Sequence, residues 1–212
     1  MPRPPSNVDK LMIQAGLELI SETGISGLTV RQVVKRAKVN LGLFHYHFKS
    51  KEAFARRVLQ AGYEDFFSRL TAEAAQQETP LKQLEQSLLN YSLFMRDNRQ
   101  VVVALLKDSL VGFAPSAEFL GEKTLTNNQV FIQLIKACQA NGSLRPDPPE
   151  RQAYFLVGAT ASVVLTSTMM DKAMGSLIRD EAALKSRQEE MYGDDAVRDR
   201  IRWALAALAP GR

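Results

Sequence analysis

Between Thr29 and Lys51 the chain places Arg31, Lys35, Arg36, Lys38, Lys49 and Lys51 around a short run, Asn40-Leu-Gly-Leu-Phe-His-Tyr-His47, that carries an amide, two imidazoles and a phenol. Cations at this density can hold phosphate oxygens, and amide, imidazole, phenol and leucine side chains can meet the edges of bases. This is binding chemistry. No metal-ligand cluster, phosphate loop, nucleophile elbow or partnered carboxylate pair stands out for covalent chemistry, so an enzyme is not expected. Asp194-Asp195 reads instead as charge at a helix start. His45 and His47 are the two histidines of the chain, and a separation of two residues splays them around a helix, which argues against a shared metal.

The elements that would position these groups are helices. Thr29 followed by Gln32 makes a capping-box pattern, so a helix should begin at Thr29, with Val33, Val34 and Ala37 on one face and Arg31, Lys35 and Arg36 elsewhere. Lys38-Val39-Asn40 interrupts the pattern, and Asn40 suits the N-cap of a second, short helix that Val39, Phe44 and Phe48 would anchor on a core. Ser50 can cap a further helix with Lys51 in its first turn, where a cation opposes the helix dipole unless an anion such as phosphate makes use of it. Upstream, Val8, Leu11, Met12, Ala15, Leu19 and Ile20 repeat at helical spacing from about Asn7 to Thr23, and Gly24 and Gly27 punctuate the chain at the end of that run. Two short helices around a tight turn, braced by a third, are the pattern of a helix-turn-helix that puts its second helix into a DNA major groove.

Charge agrees with that expectation. Residues 1–51 hold eight Lys and Arg against three acids, whereas the other 161 residues hold 19 bases and 20 acids, so the net +4 of the chain arises in its first quarter. A cationic segment on a neutral body is the electrostatic footprint of a polyanion binder. An apolar content of 45% over 212 residues is ample for a core. The richest stretch, Phe155 to Met170, is broken by Gly158, Thr160, Ser162, Thr166 and Ser167, so no membrane partner is expected. The amino terminus lacks the apolar core of a secretory signal and the single cysteine, Cys138, suits a reducing compartment, so a cytoplasmic location is expected, with Cys138 as a buried core residue.

Beyond Ser50 a long helix should continue to the patch at 72–78, followed by helices at about 80–97, 99–113, 116–141, 149–174 and 194–209, with a polar stretch near 175–193. Val101-Val-Val103 is locally ambiguous, and no segment shows convincing strand alternation. The expected fold class is all-α, with an N-terminal three-helix helix-turn-helix DNA-binding domain at 1–52 and a C-terminal helical ligand-binding and dimerisation domain at 53–212.

From about Val8 to Tyr63 the chain resembles the tetracycline-repressor (TetR) family of bacterial transcriptional regulators. Gly24, Thr29, Val33, Ala37, Val39, Gly42, Phe44, His47-Phe48 and Ser50-Lys51-Glu52 fall where that family's amino-terminal pattern has such residues. Further on, the resemblance is architectural and includes the Gly142–Glu150 loop, which looks like the bend before the family's dimerisation helix. The chain departs from the pattern at His45, where the family usually has Tyr, and at Leu41 and Leu43, where it is usually polar, so no operator preference is carried over. The resemblance implies a ligand-responsive regulator, a repressor released from double-stranded operator DNA by a small apolar effector and using no cofactor. The alternative is an effector-independent activator or architectural DNA-binding protein.

By position, Arg31, Gln32, Asn40, Leu41, Gly42, His45 and Tyr46 would approach bases or nearby phosphates, and Thr29, His47 and Lys51 would act as phosphate clamps. Leu41 either meets thymine methyls or packs on the first helix, and Gly42 either admits DNA closely or relieves crowding between helices. Arg3 among prolines is either a minor-groove arm or part of a disordered terminus. One short helix reads too little sequence alone, so a homodimer on an inverted repeat is expected. Its candidate surfaces are Leu156, Val157, Thr160, Val163 and Val164 on one helix and Val197, Ile201, Leu205 and Leu208 on another, unless these stripes serve the intrachain core. In the family such a body holds a small-molecule pocket. Tyr91, Phe94, Met95 and Phe113, with Phe131, Met169 and Met170, are the candidate lining here, with ordinary core as the other reading.

Overall fold

The computed structural model describes residues 7–175 and 180–211. Arg3 lies outside them. All regular elements among the described residues are helices: α1 (Val8–Gly27), α2 (Val30–Ala37), α3 (Leu41–Phe48), α4 (Lys51–Ala75), α5 (Pro80–Asp97), α6 (Arg99–Leu110), α7 (Ala114–Ala140), α8 (Pro149–Thr160), α9 (Ser162–Met174), α10 (Glu181–Tyr192) and α11 (Asp194–Ala207). Val101-Val-Val103 is therefore helical. So is most of the stretch expected to be an irregular connection, because α10 follows the N-cap Asp180, whose carboxylate accepts from the amides of Ala182 and Ala183. That helix has formers and a cap but little apolar periodicity, which is why a pattern search passes over it.

The expected helix at 149–174 is interrupted at Ala161. Thr160 Oγ1 donates back to the Leu156 carbonyl at 2.8 Å, and Thr168 does the same to Val164 at 2.7 Å, a bond that competes with the helical ladder. By length and composition, 149–171 could cross a membrane. Its buried Gln152, Ala153, Leu156, Thr160 and Val164 instead make α8 and the start of α9 core helices.

Packing divides the chain into two units, the first running to Phe66 and taking in Gln100–Glu122, the second made of Phe67–Arg99 and Lys123–Arg212. This differs from a boundary after residue 52. Phe54, Val58 and Leu59 of α4 and Leu105 of α6 share one buried cluster with Met12, Ile20, Val33 and Phe44, so the three short helices draw on later parts of the chain for their core. Phe44, Phe48 and Phe54 stack at centroid distances of 4.8–5.6 Å. Each such ring, fully buried, contributes about 1.5–3 kcal/mol. The second unit has its own core, in which Leu84 and Leu88 of α5, Phe131 and Ile135 of α7, Leu156 of α8 and Val197 and Ile201 of α11 are buried. Cys138 is fully buried there, and burial pushes its thiol up to about 11.

Candidate nucleic-acid interface

The first helix of the turn is closed by its own residues. Thr29 Oγ1 accepts from the Gln32 amide at 3.3 Å, and Gln32 Oε1 accepts from the Thr29 amide at 2.9 Å and its hydroxyl at 2.6 Å. This is the reciprocal capping box expected from sequence, and it engages the polar atoms of Thr29 and the carbonyl of Gln32 inside the protein. Arg36 is also engaged: it bridges Glu18 at 3.2 Å and Glu22 at 3.1 Å on α1, and the Glu22 hydrogen bond, followed by that of Glu18, raises its pKa. Arg31, Lys35, Lys38 and Lys49 stay exposed, and none of the four is in an ion pair among the described residues. The cationic excess of residues 1–51 thus becomes a smaller, localised set of open charges.

The second helix of the turn has the opposite character. Asn40 Oδ1 accepts from the Leu43 amide at 3.0 Å and so caps α3. Phe44 and Phe48 are buried, at 0% and 8% exposure, and Leu43 packs partly against the same core. The residues facing outward are Leu41, Gly42, His45 and Tyr46, with Leu41 at 46% and Tyr46 at 75% exposure. Leu41 stands outside the buried cluster of this unit. A Cβ at Gly42 would meet only Asn40 Oδ1, at 3.4 Å, so crowding between helices does not explain the glycine. His47 differs from the expected phosphate clamp: its Nε2 is sealed from solvent with no hydrogen-bond partner among the described residues.

The segment entering the helix-turn-helix is pinned from both sides. Gly24 breaks α1 at φ +73°, and a Cβ there would come within 2.8 Å of the Asp108 carboxylate. Glycine meets both demands at once. Asp108, on α6 and 5% exposed, accepts from the amides of Ile25 at 2.7 Å and Ser26 at 3.1 Å and from the Ser26 hydroxyl at 2.6 Å. On the carbonyl side, Lys51 Nζ lies 3.5 Å from the oxygen of Ile25 and 3.4 Å from that of Ser26, and 5.9 Å from the Phe113 ring. Lys51, expected as a phosphate clamp, thus holds the end of the turn, where a cation suits the exposed carbonyls. Asp108 went unnoticed in the sequence because its partners are 82 and 83 residues away, and a lone acid in an apolar helix gives no local signal.

In the second unit the expected surfaces sort differently. Leu156, Thr160, Val164, Val197, Ile201, Leu205 and Leu208 are buried within their own chain, which corrects their assignment to a dimer face, and Val157 and Val163 are half-buried. The exposed large apolar residues of α8 and α11 are Tyr154, Phe155 and Trp203. The signal for Tyr154 and Phe155 was Tyr154-Phe-Leu-Val157: four consecutive apolar residues on a helix cannot all share one buried stripe. Of the expected effector lining, Tyr91 and the buried Phe131 pack edge to face at 5.5 Å, and Phe94 and Met95 are half-buried. Met169 and Met170 point outward at 56% and 53% exposure, and Phe113 packs in the core of the first unit. A groove of about 520 Å³ opens beside Arg145, Arg151, Phe155 and Leu208, and none of the seven lines it.

Residues 12–58 match the family model described as bacterial regulatory proteins, tetR family. The HTH-type transcriptional repressor DhaR of Mycobacterium sp. (strain GP1) is 26% identical over 160 residues, covering 73% of this chain and 79% of that protein. The fatty acid degradation regulator FadR from Bacillus halodurans superposes with a TM-score of 0.74 at 13% identity, over 97% of this chain and 98% of that one. AibR, solved in complex with isovaleryl coenzyme A and operator DNA, superposes with a TM-score of 0.61 at 14% identity, over 74% and 85% of the two chains. With the capped helix-turn-helix and the matching model together, residues 12–58 carry the amino-terminal pattern of the tetR family of bacterial regulatory proteins, on a chain that is similar over about three quarters of its length to an HTH-type repressor.

Proposed function

We propose that this protein is a homodimeric, sequence-specific DNA-binding repressor, acting in the cytoplasm, that a small-molecule effector releases from an inverted-repeat operator. The observation that carries the reading is the outward face of α2 and α3. The capping groups there are engaged internally, while Arg31, Lys35 and Lys38 remain open beside Leu41, Gly42, His45 and Tyr46. A phosphate-binding rim around a base-contacting patch is what major-groove docking needs. Pairing of two such heads is supported by Tyr154, Phe155 and Trp203, large apolar groups that a second copy would cover.

The effector site belongs to the second unit in this reading. Supporting it are the hydroxyls of Ser87 and Ser92 on α5, the helix that also carries Tyr91, both buried without a hydrogen-bond partner among the described residues. Such hydroxyls can serve a ligand's polar end while aromatic rings hold its apolar part. AibR, the neighbour solved with isovaleryl coenzyme A, makes short acyl thioesters the first ligands to try. Release then needs only a coupling of about 1–3 kcal/mol between effector and DNA, a roughly 5- to 150-fold change in operator affinity.

The test is selection of bound sequences from a random duplex pool by the full chain, followed by displacement trials on the selected site. An enriched inverted repeat bound by two copies, and released by a ligand, is the expected outcome. A strictly single-subunit protein that enriches nothing even at low salt would overturn the reading, and a specific site that no ligand weakens would leave an effector-independent regulator.

A further inference from the structure

The outward face of α3 contains none of the side chains that read bases in bidentate fashion. Guanine is read by Arg or Lys, adenine by Asn or Gln and cytosine by Asp or Glu, whereas thymine offers a methyl group to apolar side chains. From Leu41 to Phe48 there is no Arg, Lys, Asn, Gln, Asp or Glu, and the neighbouring Asn40 turns its amide oxygen inward to cap Leu43. What stands outward is Leu41, Gly42, His45 and Tyr46.

Resting on the DNA-binding reading above, we infer that this chain selects its operator through thymine methyl groups, which Leu41 and Tyr46 contact from the exposed face of α3, with His45 supplying a single polar contact. Leu41 and His45 are four residues apart and share one strip of the helix; Gly42 and Tyr46 share the adjoining one. Gly42 lies one turn before Tyr46, and its missing side chain leaves the helix surface low there. Two apolar groups thus flank a shallow place on the helix, a shape that accepts a methyl standing out from a pyrimidine edge. Leu41 and Tyr46 stand at 46% and 75% exposure, outside the buried cluster of their unit.

The experiment uses the wild-type full chain and the operator obtained by selection, with thymidines of each half-site replaced one at a time by deoxyuridine, which removes the methyl and nothing else. Binding is followed by fluorescence anisotropy. Burial of one methyl corresponds to about a fourfold change in affinity, so one replacement should weaken binding about fourfold and the symmetric pair about fifteenfold. In Leu41→Ala or Tyr46→Ala the loss at the contacted position should disappear. Placing 5-methylcytosine at that position in a cytosine-substituted site should recover affinity in part. A half-site without thymine, an all-deoxyuridine operator bound within twofold of the original, or a loss that persists undiminished in both variants would overturn the inference while leaving the DNA-binding function standing. A pool that enriches no site would remove that function and this inference together.

Discussion

Set side by side, the two units leave opposite kinds of surface unsatisfied. In the first, helix ends are closed by Thr29, Gln32, Asn40 and Asp108, aromatic rings fill the core, and what remains outside α2 and α3 is open cations with Leu41 and Tyr46. In the second, Ser87, Ser92, Gln152, Thr160, Ser167 and Thr168 are buried while Tyr154, Phe155 and Trp203 stand in solvent. The interior of the second unit is still an apolar core, so it is the large aromatic groups left outside it that mark a place where something else is meant to bind. The two remainders therefore point to different partners: a polyanion for the first unit, an apolar surface for the second.

The largest effect should come from the aromatic exterior. Tyr154→Ser combined with Trp203→Ser removes four large groups from the proposed twofold interface and should raise the dimer dissociation constant at least about a hundredfold, read by sedimentation. Operator affinity would fall with it, although the reading head is untouched. An unchanged dimer would break the contrast between the units.

Next comes the carboxylate that holds the head together. Asp108→Ala leaves the buried amide of Ile25 and that of Ser26 without an acceptor, at a cost of about 3 kcal/mol in stability. Operator binding should drop more than tenfold in protein that is still folded, because the entry into α2 is no longer held. Chemical denaturation separates the two effects.

A finer contrast lies within the head. Arg31→Ala should weaken binding and lower the slope of log affinity against log salt by about one, as expected for a lost phosphate contact. Lys51→Ala should weaken binding through the turn it supports and leave that slope unaltered. Equal slope changes would return Lys51 to the phosphate rim.

The smallest effect concerns acid. The hydrogen bond from Arg96, assisted by the attraction of its charge, holds the Asp194 carboxyl below its ordinary pKa. Stability from this exposed pair is therefore fully present above the ordinary carboxylate range and fades as pH falls through the lowered value. Arg96→Met should remove that sensitivity in unfolding curves taken below about pH 4, with little change at neutrality.

Much of the head could be foreseen because its determinants lie close together in the chain. A Thr three residues before a Gln, an Asn before an apolar run and Phe44 with Phe48 four apart act through bonds and contacts that any helix of this sequence would form. Leu41 was ambiguous because periodicity cannot tell an exposed apolar residue from a half-buried one, and α10 escaped because capping and propensity without an apolar stripe look like a linker. The dimer stripes on α8 and α11 failed for a related reason. The most apolar face of a helix goes to its own core first, so the face left for a partner is the second best.

Sequence alone determined the helical class, the helix-turn-helix and the residues that close its ends, since these depend on interactions spanning one turn of helix. Tertiary structure alone decided that Asp108 and Lys51 grip opposite sides of one turn, that Arg36 is neutralised by Glu18 and Glu22, and that Tyr154, Phe155 and Trp203 are left in solvent. Those outcomes depend on which helices meet, and close approach of residues tens of positions apart leaves no mark on local spacing.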